Sequence, residues 1–292
     1  MELKKYNPIC TFLLDYDGVV RFSDKELNKK VLDKWMQVFT DWASEVEKGH
    51  IVMSTLRGIT YFTETFHIAL EERIMKHDHI SYTLVGNNGS FVYDLKSNSS
   101  LTDVNPLSID NLDYIIRNEY IKKLMAVTGQ NDFHSAEIIH KYNTLTESYE
   151  QILKKEPMLF WDNGFPGSKQ ILKCALDLPE DYINILDADF FAAFREQEIN
   201  VNITRKVMEL TSIGTNKSSR LDWLRNIGLV EPTTIAIADS PEGADKVMFD
   251  YIDSCGDGFI SMPNGNSKYD SENVLYENLL KIFKDVGLSS EA

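Results

Sequence analysis

The sequence predicts an α/β protein built on a parallel sheet, with a second, α+β domain inserted into it. Three observations predict this. Apolar runs of strand length, Phe12-Leu13-Leu14, Ile51-Val52-Met53 and Ile235-Ala236-Ile237, lack apolar–polar alternation, as strands buried on both faces do. Amphipathic helical stripes stand between them. Each run stops abruptly at a polar or acidic turn: Asp15-Tyr16-Asp17-Gly18, Ser54-Thr55 and Asp239-Ser240. In parallel sheets ligands bind beyond the carboxyl ends of the strands, so chemistry is expected where these turns meet.

The first turn organises the rest. Asp15 and Asp17 leave a strand end two residues apart, and Gly18 lets the backbone turn so that both can flank one bound group. Acids so close repel each other unless a cation or a shared proton lies between them. Their hard oxygens suit Mg²⁺.

Composition narrows the function classes. The 292 residues suit one large or two moderate domains, and 43% hydrophobic residues permit a sizeable core. A net charge of −15 argues against nucleic acid or an anionic membrane as the main partner. It also means that a phosphate site must make its own positive field locally. Cys10, Cys174 and Cys255 are widely spaced and odd in number, which disfavours a disulfide framework or a cysteine-rich zinc site. The N-terminal apolar run is too short for a signal peptide and is broken by Asp15. No stretch reaches the roughly 20 apolar residues of a membrane span. The expectation is a soluble, cytoplasmic protein.

Along the chain, Leu27, Val31, Trp35, Val38, Trp42 and Val46 form a helical stripe, with Ser23 or Asp24 placed to cap it. The two tryptophans read as core packing. The run at 51–53 completes a βαβ unit, whose crossover is right-handed in nearly all cases, so Thr55 is expected at the same sheet edge as Asp15. Phe62, Phe66, Ala69, Leu70 and Ile74 read as a further helix, Tyr82–Val85 as a third strand, and Asn87-Asn88-Gly89 as a turn. From about 90 to 205 helical stripes are expected at Ile109, Leu112, Ile116, Tyr120 and Leu124, and around Ile138, Tyr142, Leu145 and Tyr149. Strands are expected near Ile183–Leu186 and Ile199–Ile203. Beyond Lys217 the pattern predicts a helix with Leu221, Leu224 and Ile227 inward, the strand ending at Asp239, short strands near Tyr251 and Phe259, and a helix from about 271 to 286.

Four separate turns thus offer complementary parts: Asp15 with Asp17, Thr55 with Arg57, Lys217, and Asp239 with Glu242 or Asp245. Together they resemble the four motifs of the haloacid dehalogenase (HAD) superfamily of phosphohydrolases. DYDGVV resembles the DxDG motif, MSTLR the strand ending in TGR, the lysine after a GxxK stretch the third motif, and IADSPEGADKVM the GDSxNDxxM motif. The long interval between the second and third motifs resembles the Cof-like, sugar-phosphatase branch, whose α/β cap is inserted there; NNGSFVYD resembles that branch's opening of the cap. The resemblance implies a HAD-like (Rossmannoid) core, residues 1–89 and 206–292, and a cap, residues 90–205.

It also implies a chemistry. A phosphate monoester dianion repels an anionic nucleophile, so the site must first neutralise it. Mg²⁺ held by Asp15, Asp239 and the backbone carbonyl of Asp17 would do so. Asp15 would be the nucleophile and form an aspartyl-phosphate, and Asp17 the general acid and base. Lys217 and the Thr55 hydroxyl would stabilise the transferring phosphoryl group. Glu242 or Asp245 would steady the cation shell or Lys217. Ser54 and Arg57 would support the phosphate or the loop, Arg57 as an ion pair more than as a substrate contact. Trp161 and Asp162 in the cap loop are candidate substrate contacts. The implied function is Mg²⁺-dependent hydrolysis of a small-molecule phosphate ester, a sugar phosphate. The alternatives are a phosphomannomutase-like mutase, disfavoured by the few arginines of the insert (Arg117 and Arg195 before Arg205), and a catalytically quiet binding protein. The quiet reading is motivated by departures from the motifs: Leu56 and Ala238 where the family has Gly, and extra residues before Met248. The sequence leaves oligomeric state open.

Overall fold

The computed structural model describes residues 10–22, 25–57, 66–97, 99–102, 105–128, 135–140, 169–204, 206–231, 233–239, 244–255 and 259–261. Strand β1 (Thr11–Leu14) is central and wholly buried. It pairs in parallel with β2 (Gly49–Ser54) on one side and β10 (Thr234–Ile237) on the other. Leu14 stands level with both Met53 and Ile237, so Asp15, Thr55 and Asp239 all leave the sheet within one or two residues of the same line. β3 (Ile80–Gly86) continues the parallel order beyond β2, and β11 (Phe259–Ser261) does so beyond β10. β4 (Phe91–Asp94) and β5 (Ser99–Ser100) then add antiparallel strands, giving the order β11-β10-β1-β2-β3-β4-β5.

Helix α1 (Lys25–Glu45) covers β1. Its stripe is buried as its periodicity requires, and Trp35, Phe39 and Trp42 pack edge-on around the Phe12 ring, with centroids 5.0–6.2 Å away. Burial of each such side chain contributes about 1.5–3 kcal/mol. The Trp35 Nε1–H donates to the Val19 carbonyl at 3.1 Å, which ties the helix to the acidic turn. α2 (Phe66–Arg73) follows β2.

The described residues fall into two compact units. One draws on residues up to Arg57, then up to Leu101, and from Asn216 onward; the other on Thr102–Thr215. β4 and β5 pair onto the first sheet, so residues 91–101 belong to the first unit rather than opening the second. The second unit has an antiparallel sheet in the order β6-β7-β9-β8, formed by Ser135–His140, Lys169–Asp177, Val207–Ser212 and Ile199–Thr204. Helices α3 (Ile109–Arg117), α4 (Glu119–Thr128) and α5 (Ala188–Glu196) share a core with it through Leu112, Leu124, Leu176, Phe190, Phe194 and Leu210. Ser108 and Asn111 form a capping box on α3, and Asp187 caps α5.

Four local expectations are corrected. Ile138 lies in a strand, not a helix: it pairs with Ile171 across β6–β7, a non-local partner that periodicity cannot see. The strand expected at Ile183–Leu186 is a 3₁₀ turn at Tyr182–Asn184, closed by local bonds such as the Tyr182 N–H to the Pro179 carbonyl, and Ile183 is 73% exposed. Tyr251 lies in helix α7 (Lys246–Cys255), because Met248, Phe249 and Ile252 repeat at helical spacing against the core. The helix after Lys217, α6 (Leu221–Asn226), buries Leu221 and Leu224 but stops before Ile227, which is exposed. Ser23, Asp24, Phe62, Tyr142, Leu145, Tyr149 and the helix expected over 271–286 lie outside the described residues. Among the described residues no helix is long and apolar enough to cross a membrane.

At the opposite end of β2 from Ser54, His50 is buried, with Nδ1 2.6 Å from the Ser81 hydroxyl and Nε2 3.8 Å from Glu231 Oε1, beyond hydrogen-bonding range. Burial, and then the Lys48 charge, hold its pKa down to about 4 against a pull upward from Glu231. Its folded pKa lies below the unfolded value of 6.5, so its contribution to stability is intact above pH 6.5 and is lost as pH falls towards 4. A tenfold change in proton affinity is worth about 1.4 kcal/mol, which puts the full loss on the order of 3 kcal/mol. Urea unfolding of wild type and His50→Gln at pH 7 and pH 4.5 is expected to show a smaller acid loss in the variant. Equal losses in the two proteins would disprove this assignment.

Candidate active site

The site forms where β1, β2 and β10 end. The Asp15 N–H donates to the Ile237 carbonyl at 2.9 Å and the Thr55 N–H to the Val85 carbonyl at 3.0 Å, so each residue is fixed by the strand beside its own. Asp15 is 5% exposed, and its Oδ1 accepts from the Tyr16 N–H and from Lys217 Nζ, both at 2.7 Å. These bonds hold the carboxylate by one oxygen and leave Oδ2 uncommitted to either donor.

Lys217 is buried between two acids, bonding Asp15 and Asp245. Burial alone would push its pKa down, but the Asp15 and Asp245 carboxylates outweigh that and hold it above the ordinary lysine value. It is therefore a permanent cation. It does not open the following helix directly but sits in the turns that precede Leu221. The Ser54 hydroxyl donates to its backbone carbonyl at 2.8 Å. The sequence leaves Glu242 and Asp245 as alternatives here; Asp245 is the acid that meets Lys217, and Glu242 lies outside the described residues.

Carboxylate oxygens of Asp15, Asp239 and Asp245 all lie within 4.8 Å of one another. Burial, and then the Asp245 and Asp239 charges, push the Asp15 pKa well above the usual carboxylate range despite Lys217. Three acids gathered around one ammonium carry an excess of negative charge, and hard oxygens at this separation fit a divalent cation such as Mg²⁺. Among the described residues the Asp17 carboxylate is not part of this cluster. It pairs with Arg57 Nε, has Arg21 at 4.0 Å, and is 46% exposed. Arg57 is thus an ion-pair partner of Asp17, while its N–H donates to the Thr55 hydroxyl at 3.2 Å. Trp161 and Asp162 lie outside the described residues.

Gly18 explains how Asp239 comes so close. Its φ is +77°, and a Cβ there would stand 1.8 Å from Asp239 Oδ2. Gly18→Ala is expected to displace that carboxylate and to weaken binding of Mg²⁺ to the acidic cluster, measured directly by calorimetric titration of the two proteins. A variant with wild-type Mg²⁺ response would show that the close approach is unimportant.

Solved structures similar to this fold cover almost the whole chain. The fold is that of the haloacid dehalogenase-like hydrolases. One such hydrolase from Bacteroides thetaiotaomicron is similar over 95% of this chain and 99% of its own, at TM-score 0.58 and 14% identity. A HAD subclass IIB sugar phosphatase matches over 96% and 100%, at TM-score 0.52 and 11% identity. A phosphatase of the superfamily from Bacteroides thetaiotaomicron matches over 99% of both chains, at TM-score 0.51 and 15% identity. No protein-family model and no curated protein matches the sequence. At such identities the HAD fold is what is shared; function must be argued from the site.

Sequence reading misses one part of this region. Asn87, Asn88 and Gly89 all take positive φ, and the Asn87 and Asn88 N–H groups bond to the loop that carries Thr55. The Asn-Asn-Gly signature signals a turn, but nothing local tells which loops it touches.

Proposed function

We propose that this chain is a Mg²⁺-dependent phosphatase that hydrolyses a small phosphorylated metabolite, a sugar phosphate, through an aspartyl-phosphate on Asp15. One observation carries the reading: a buried lysine cation bridges Asp15 and Asp245 at the ends of the parallel strands, with Asp239 in reach of the same ion. A phosphoryl group brought there meets a nucleophile, a fixed positive charge and a hydroxyl donor at once.

Bound by Asp15, Asp239 and the Asp17 backbone carbonyl, Mg²⁺ would supply the charge neutralisation that lets an anionic ester approach a carboxylate. The chain's residues do the rest. Asp15 Oδ2 attacks phosphorus as the ester P–O bond breaks, and Asp17, turned away from Arg57 and carrying a proton, gives it to the departing alkoxide. Asp17 then takes a proton from water, which attacks phosphorus; the bond to Asp15 breaks and inorganic phosphate leaves. In this structure the Arg57 and Arg21 guanidiniums beside Asp17 hold its carboxylate near the turn. Lys217 and the Thr55 hydroxyl stabilise the equatorial charge in both steps. Trp161 and Asp162 are the candidate contacts to the organic part of the ester.

The test is a panel of phosphate esters assayed with Mg²⁺, with EDTA, and with Mg²⁺ restored. Phosphate release is expected for sugar phosphates with Mg²⁺, loss on chelation, and recovery on re-addition. Absence of turnover on every ester in Mg²⁺ would overturn the reading in favour of a binding role; transfer between two positions of one sugar phosphate would favour a mutase.

A further inference from the structure

Asn87, Asn88 and Gly89 form a continuous left-handed stretch, with φ of 46°, 57° and 88°. Only Asn, Asp and Gly adopt this conformation readily, and then usually as single residues. The turn is buried, with Asn87 1% and Asn88 4% exposed, yet it contributes no apolar side chain to the core. Its bonds run instead to two loops of the site.

On one side, the Asn87 N–H donates to the Arg57 carbonyl at 3.0 Å and the Asn88 N–H to the Thr55 carbonyl at 2.9 Å. Both ends of Thr55-Leu56-Arg57 are thereby pinned. On the other side, the Gly89 carbonyl accepts from Arg220 Nε at 3.1 Å. A Cβ on Gly89 would lie 2.2 Å from the Asn216 carbonyl oxygen and 2.2 Å from Ser219 Oγ. Asn216 to Arg220 is the turn that carries Lys217. A direct hydrogen bond from Ser54 Oγ to the Lys217 carbonyl also joins the two loops.

We infer that the Asn87–Gly89 turn is a positioning element for the phosphoryl group: its left-handed backbone sets the gap between the Thr55 hydroxyl and the Lys217 ammonium, and Gly89 is the residue on which that gap depends. This rests on the phosphatase reading above. Transferring phosphoryl oxygens must be met by donors at fixed separation, because preorganised groups stabilise the transition state without rearranging. A strained backbone persists where its surroundings over-determine it, and here the contacts to both loops do so. Gly89 needs its missing side chain as well as its φ, since the lysine turn occupies the space where a Cβ would stand.

The test compares Gly89→Ala with Gly228→Ala, which imposes the same left-handed strain (φ +72°) but would place its Cβ no closer than 3.5 Å to another group. Gly89→Ala is expected to lower kcat/KM on the order of 100-fold, as about 1 Å of misplacement does, and to weaken inhibition by orthovanadate in parallel. Gly228→Ala is expected to stay near wild type in both. If Gly89→Ala loses activity with an unchanged vanadate inhibition constant, the substitution has only reduced the folded fraction and the inference fails. A second readout does not need turnover. Amide hydrogen exchange in Gly89→Ala, without ligand, is expected to speed up together at 55–57 and 216–220, while 31–39 of α1 is unchanged. Acceleration of one loop alone would overturn the inference even if no ester were ever hydrolysed, whereas acceleration of both would support it independently of the phosphatase reading. Should Gly89→Ala fail to fold, Arg220→Gln breaks the same contact from the lysine side, with a smaller effect expected in the same direction and wild-type behaviour again counting against the inference.

Discussion

Asp15→Asn is expected to abolish turnover, by at least about 10⁴-fold, in a protein that still folds. The amide keeps the side chain's shape, and its carbonyl oxygen can still accept from the Tyr16 N–H and Lys217 as Oδ1 does now. It cannot attack phosphorus, and it offers a cation a neutral oxygen in place of a charged one. The measurement is phosphate release on the best ester of the panel, beside circular dichroism and a thermal melt. Wild-type turnover by the purified variant would rule out a covalent intermediate on Asp15. Loss of activity together with loss of the fold would leave Asp15 as a structural acid.

Lys217→Met is expected to combine a large loss of activity with a large loss of stability. The methionine keeps most of the stem volume but removes the ammonium that bonds both Asp15 and Asp245. Breaking a buried pair from one side typically costs about 3–5 kcal/mol, because the remaining charge is left uncompensated. The loss of a preorganised charge on the transferring group costs about 10²–10³ in kcat. The lysine pKa is raised in the folded state, so its contribution to stability is complete at neutral pH and is lost only as strong alkali deprotonates it. Urea unfolding at pH 7 with EDTA should therefore show the full deficit, and Mg²⁺ should restore part of it by taking over the neutralisation. Unchanged stability in EDTA would mean that the two acids are not ionised together in the folded protein.

Some of this architecture is legible in single residues. Phe12-Leu13-Leu14 and Ile235-Ala236-Ile237 read as strands because doubly buried strands must be apolar at every position, and both are wholly buried. The stripe from Leu27 to Val46 reads as a helix because burial repeats with the helical turn, and those side chains line the core. That the strands before Asp15, Thr55 and Asp239 end at one edge can be anticipated, since parallel strands joined by right-handed crossovers deliver their ends to one side, and Leu14 stands level with Met53 and Ile237. Ile138, Ile183 and Tyr251 mislead for the converse reason. Short apolar stretches carry too little period to separate strand from helix, and what decides each is a partner elsewhere: β7 for Ile138, the Pro179 and Asp181 carbonyls for the 3₁₀ turn, the core beneath Met248 and Ile252 for Tyr251.

Within the site the same division holds. Residue types and spacing determined which groups were available: two carboxylates at one strand end, a lysine before a helix, acids after β10. Which of them touch was decided by tertiary structure alone. That Asp245 meets Lys217, that Arg57 takes the Asp17 carboxylate, that Gly18 lacks a Cβ because Asp239 stands there, and that Gly89 makes room for the Asn216 carbonyl are all contacts between distant segments. A sequence encodes local conformation through each residue's own torsional limits and the period of its apolar positions. A contact between distant segments depends on how whole strands register, and a shift of one residue in that register would exchange every partner.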